Sequence, residues 1–178
     1  MKFGRSGDAG LAPSSPSALM GEGVIADLQS RLEARYRAIA TGPMAGLPIC
    51  NEALDVAALG FRAVGEEAVG IVVTPWFLNV VATPLLPGGA AATPARLGAT
   101  RKLALPAGVL DMIVGELDDF GRVDSASLFS PMNEFADMEA ARQTAQAALD
   151  ALFAPPAPPA LDRRAFLRGR VAREEATS

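Results

Sequence analysis

Asp118 and Asp119 stand side by side two positions after Glu116. Paired carboxylates are what a hydrolase uses as acid and base, or a magnesium site as ligands. Little accompanies them, since no nucleophile and no phosphate-cradling loop lies beside them. Histidine is absent and cysteine occurs once, at Cys50. That removes Ser-His-Asp and Cys-His nucleophile systems, cysteine-histidine zinc sites, CxxC redox chemistry, haem ligation by histidine and any intrachain disulfide. A carboxylate hydrolase using Asp118 and Asp119 stays as the enzyme alternative. The composition favours a binding protein that carries no cofactor and no metal.

Two other motifs are suited to binding. Thr74-Pro75-Trp76-Phe77-Leu78-Asn79 sets the only tryptophan next to a phenylalanine at a strand end, which reads either as an aromatic anchor beside a strand edge for a peptide or as two core rings. In Ser130-Pro131-Met132-Asn133-Glu134-Phe135, Met132 is an adaptable contact side chain. The alternative is that Ser130 or Asn133 caps a helix over Phe135.

Charge points to the kind of partner. The formal net charge is −4, but residues 155–178 carry five arginines against Asp162, Glu174 and Glu175, which leaves the first 154 residues with 11 basic and 17 acidic groups. The densest acid, Asp111, Glu116, Asp118, Asp119, Asp124, Glu134, Asp137 and Glu139, faces Arg122 alone. A basic partner follows, and nucleic acid does not. The terminal stretch Arg163-Arg164-Ala165-Phe166-Leu167-Arg168 resembles the twin-arginine export consensus. With ten residues after Arg168 and no apolar region, it is not itself an export signal. Its plain reading is a short amphipathic helix with solvated arginines.

These motifs need a scaffold. The 178 residues are 50% hydrophobic but only 6% aromatic, with 35 alanines, so one domain with a core of Ala, Val, Leu and Ile is expected. Met1, Lys2 and Arg5 precede Gly, Ser and Pro, not an apolar signal region, so residues 1–20 read as a disordered leader. Apolar residues at helical spacing, Val24, Ile25, Leu28, Leu32, Tyr36 and Ile39, predict a helix over 21–41. Strand patterns run over 54–61, 69–73, 77–83, 101–105, 109–114 and 123–129, with an exposed loop over 84–100. A second helix over 138–153 buries Ala141, Ala145, Ala148, Leu149 and Leu152. Residues 68–95 contain no charge, but their prolines and Val/Ile content predict a buried hairpin with no stable membrane insertion. The fold class is α+β: a mainly antiparallel sheet of about five to six strands, flanked by an N-terminal and a C-terminal helix over 21–154. A Pro-rich linker over 155–159 then tethers the basic tail.

The segments NEALDVAALGFR (51–62), VGIVVTPWFLNVVATP (69–84), LPAGVLDMIVGE (105–116) and GRVDSASLFSPMNEFADMEAARQTAQAALDALF (121–153) resemble the HybE/HupJ family of nickel-iron hydrogenase assembly chaperones. The chain departs from that pattern at Ala126, where a cysteine is usual. The resemblance implies a cytoplasmic accessory protein that holds an immature subunit of an uptake hydrogenase before export. The small-subunit precursor with its twin-arginine signal peptide is the first candidate client and the large subunit a second. A structural subunit of the finished hydrogenase is the other non-enzymatic alternative. Thr74, Pro75, Trp76, Phe77 and Asn79 with Ser130, Pro131 and Met132 would make the apolar contact. Glu116, Asp118 and Asp119 would meet the client's arginines.

Overall fold

In the computed structural model, which describes residues 16–86 and 96–155, the chain opens with helix α1 (Pro16–Thr41). Strands β1 (Ala57–Val64), β2 (Glu67–Val73), β3 (Leu78–Pro84), β4 (Thr100–Leu105) and β5 (Gly108–Ile113) follow. Next come β6 (Glu116–Leu117), β7 (Gly121–Arg122), β8 (Asp124–Phe129) and the closing helix α2 (Met138–Phe153). Six strands form one antiparallel sheet in the order β1-β2-β3-β8-β5-β4, and β6 and β7 make a separate small hairpin. The α+β class and both flanking helices are as expected. The first helix starts earlier: Pro16 opens it within the stretch read as leader, since proline suits the first helical turn and Ala18, Leu19 and Met20 are good helix formers.

The charge-free run over 68–84 is apolar because both faces of the sheet are covered there. Val69, Ile71 and Val73 of β2 and Leu78, Val80 and Ala82 of β3 pack in one cluster with Ala141, Ala145 and Leu149 of α2. The alternate residues Ala68, Val72 and Val81 pack with Leu28, Leu32 and Tyr36 of α1. The two helices therefore lie on opposite faces. The buried hairpin is β2–β3, paired from Glu67↔Pro84 to Val73↔Leu78. No helix among the described residues is long and apolar enough to cross a membrane.

Two local devices make that packing fit. Pairing on β1 jumps from Leu59↔Ile71 to Arg62↔Val69, so Gly60 and Phe61 together oppose Gly70 as a bulge. Gly60 takes φ +63 there, a conformation suited to glycine. The extra residue turns Phe61 onto the α1 side, where its ring lies against Gly70. A Cβ on Gly70 would come within 2.3 Å of Phe61 Cδ2. On the other face, Asp137 caps α2 by accepting the Ala140 N–H at 2.9 Å. The cap is thus neither Ser130 nor Asn133: the helix starts at Met138, too far along for either to reach its first amides.

Burial pushes the Tyr36 phenol up from 10.0 to about 12. Its raised value means that the contribution to stability is present below pH 10, the midpoint of ionisation in an unfolded chain, and is lost as pH climbs through that value toward 12. Tyr36 is the only tyrosine. Absorbance at 295 nm should therefore stay flat through pH 10 and rise together with loss of circular dichroism. A tyrosinate signal near pH 10 in the folded protein would contradict this packing.

Candidate functional site

Pro75 and Trp76 form the loop of the β2–β3 hairpin. Thr74 closes it: its N–H donates to Phe77 O at 2.8 Å, and its hydroxyl oxygen accepts from the N–H of Trp76 at 3.3 Å and of Phe77 at 3.0 Å. Proline fits where no ladder donor is needed. Phe77 stands edge-on between Tyr36 at 5.5 Å and Trp76 at 5.6 Å between ring centroids, which fixes the indole on the α1 side of the sheet.

Two segments distant in sequence are tied to this turn. The Asn51 N–H donates to Pro75 O at 2.8 Å. The Asn51 side-chain amide donates to Met132 O at 3.0 Å and Phe135 O at 2.8 Å. Ser130 Oγ donates to Trp76 O at 3.3 Å, and the Ser130-Pro131 peptide is cis. The two motifs singled out in the sequence thus meet at one end of the sheet, with Asn51 as the tie. Thr74 and Pro75 are buried, Trp76, Phe77 and Asn79 are half-buried, and Ser130 and Pro131 are exposed. Asn79 lies on β3 across from Ser127, and its Oδ1 is buried with no hydrogen-bond partner.

Met132 takes a different place from the surface contact expected of it. Its side chain is 0% exposed and packs in the core cluster of α2, because the Asn51 bond to its carbonyl draws the loop over the end of that helix. Its part in the site is to hold the loop. The exposed apolar groups around this end are ones the motifs did not flag: Leu47 and Ile49, on the loop that Asn51 anchors, and Phe129, stacked edge-on with Phe135 at 5.3 Å. An isolated apolar run in a short loop was the only signal for Leu47 and Ile49.

The acidic residues sit elsewhere. Leu78↔Phe129 marks the Trp76 end of the β3–β8 ladder and Ala82↔Asp124 the other, roughly 13 Å further along the strand. The β6–β7 hairpin, with Glu116, Asp118 and Asp119, adjoins that far end. Leu117 and Phe120 turn inward toward the α1 cluster, while the three acidic residues are exposed. Asp119 makes the turn itself at φ 60, and Asp118, with a side chain 95% exposed, faces Arg35 at 3.9 Å. Among the described residues, no three His, Cys, Asp or Glu side chains gather as a metal site.

Asp124 is not part of that surface. It is 0% exposed, with Arg101 Nε against its Oδ2 and Arg122 Nη2 at 2.8 Å. Glu67 holds the other side of Arg101 at 2.6 Å. The Asp124 hydrogen bonds are the leading cause that pushes Arg122 above its ordinary value. Asp111 pairs with Lys102 at 3.1 Å across β4 and β5, and Asp137 is the α2 cap. The acidic run in the sequence therefore overstates the acidic surface, since part of it is neutralised within the fold. Arg163, Arg164, Phe166, Leu167 and Arg168 lie outside the described residues.

Residues 27–169 match the sequence pattern of the family described as NiFe-hydrogenase assembly, chaperone, HybE. The hydrogenase expression/formation protein HupJ of Bradyrhizobium diazoefficiens is 48% identical over 149 residues, covering 78% of this chain and 85% of that protein. The corresponding HupT of Azotobacter chroococcum is 43% identical, covering 77% of this chain and 91% of its own length. Among solved structures, the solution structure of HybE from Escherichia coli superposes with a TM-score of 0.56 at 24% identity, covering 76% of this chain and 85% of that one. That likeness concerns the fold alone.

Proposed function

The chain belongs to the HybE family of nickel-iron hydrogenase assembly chaperones, and we propose that within this family it holds the small-subunit precursor in the cytoplasm before export. It does so by taking up the precursor's twin-arginine signal peptide, and it performs no catalysis of its own. The observation that carries the reading is the built end of the sheet, where the Trp76 turn, the loop bearing Leu47 and Ile49 and the Ser130-Pro131 loop are bonded together through Asn51. A half-buried indole beside exposed aliphatic groups is an anchor for an apolar segment. Glu116 and Asp118, at the other end of β3, take the guanidinium groups through charge-assisted bonds. An extended peptide with arginines at one end and an apolar stretch at the other matches that spacing.

The test in cells is deletion of the gene. Hydrogenase subunits should still be synthesised, but precursor should accumulate and little active enzyme should reach the membrane. Normal maturation, in a strain with no second chaperone of this family, would contradict the proposal. Finding the protein in the purified, exported enzyme would favour a structural subunit instead.

A further inference from the structure

The family match runs to residue 169 and so takes in the proline run and the arginines after it. The described fold fixes where that segment departs. Phe153, at the end of α2, lies under the Arg62 guanidinium at 4.0 Å. Arg62 pairs with Val69, Val69 with Ala82, and Ala82 with Asp124. The exit is therefore level with the β6–β7 hairpin and away from the Trp76 turn.

At that same end is a pocket of about 230 Å³ with Pro84, Leu85 and Phe120 in its wall. Arg31 and Arg122 also line it, but each already faces a carboxylate, Asp27 at 3.9 Å and Asp124 at 2.8 Å. What the pocket offers is its apolar wall. Exposed acidic residues adjoin the lining: Glu66, whose O accepts from the Leu85 N–H at 2.9 Å, Glu116, paired with Arg122 across β6–β7, and Asp118, which faces Arg35 at 3.9 Å but keeps its side chain 95% exposed.

We propose that the chain's own residues 163–168 dock here, with Arg163 and Arg164 on the acidic rim and Phe166 and Leu167 against the pocket wall. Charge is complementary, since five of the chain's 16 basic residues lie beyond residue 154 while 17 of its 20 acidic residues precede it. Reach is sufficient. The eight steps from residue 155 to residue 163 span about 25 Å at a proline-rich rise of about 3.1 Å each. The exit lies on the α2 face and the rim on the α1 face, two inter-strand steps across and with the sheet between them, roughly 20 Å. Tethering at this range gives an effective concentration that reaches the millimolar range. The regulatory consequence rests on the signal-peptide reading: the tail occupies the arginine site until a client displaces it.

The test needs no client, so its failure leaves the assembly reading standing, and failure of that reading leaves this one standing. An arginine-specific protease is applied to the full chain, and cleavage after Arg168 and Arg170 is followed by mass spectrometry beside a synthetic peptide of residues 155–178. Cleavage in the protein should be at least about tenfold slower, as expected where the docked form dominates, and should not depend on protein concentration. Glu116→Lys with Asp118→Lys, which touches only exposed side chains and leaves Asp119 in its turn, should remove the protection. Adding Arg163→Glu and Arg164→Glu to that variant should restore it. Equal rates in protein and peptide, protection that fades on dilution, protection that survives the hairpin reversal, or no recovery in the charge swap would each overturn the proposal.

Discussion

Asp124→Ala is expected to destabilise the fold by about 3–5 kcal/mol, because it removes the buried carboxylate on which two guanidinium groups converge. Arg101 keeps Glu67, but Arg122 loses the carboxylate that takes three of its hydrogen bonds. The network joins β2, β4, β7 and β8, so its loss loosens the junction of the sheet with the β4–β5 hairpin. Among the described residues that junction is otherwise held by the ladder pair Ile113↔Ser125, by the Val123 N–H donating to Gly115 O at 3.0 Å, and by Leu103 and Met112 in the α2-side core. Asp124→Asn keeps the shape and one acceptor and should fall between the two. Thermal melting should show a drop of about 10 °C or more for alanine. A shift of a degree or two would mean that the network is screened by water and contributes little.

Trp76→Ala carries the largest expected effect on binding. Truncating an interface anchor costs roughly 2 kcal/mol or more, about a 30-fold rise in Kd. The stability cost should stay under the ~3–5 kcal/mol of a fully buried aromatic, because the indole is half-buried and its ring contact is with Phe77. Titrating a labelled signal peptide and melting the same preparations separates the two effects. An unchanged Kd with a large loss of stability would make Trp76 a core residue only.

Much of the fold was legible because its signals are local. The Val/Ile runs over 69–73 and 77–83 are strands at any position in the sheet, and Ala141, Ala145 and Leu149 mark one face of a helix by spacing alone. The site was legible only in part, and the reason is closure at long range. Trp76 and Ser130 are 54 positions apart, and Asn51 and Met132 81, so no pattern along the chain reveals that Asn51 ties them or that Met132 faces inward. Charge is misleading for the same reason. Asp124 looks like any other member of the acidic run until Arg101 is brought beside it from another strand.

The most direct measurement is co-purification of the tagged full-length protein from cells making an uptake hydrogenase, with the captured proteins identified by mass spectrometry. The small subunit with its signal peptide still attached should be recovered with the native protein and lost with Trp76→Ala. Recovery of no hydrogenase subunit, or of the small subunit only after its signal has been removed, would contradict it.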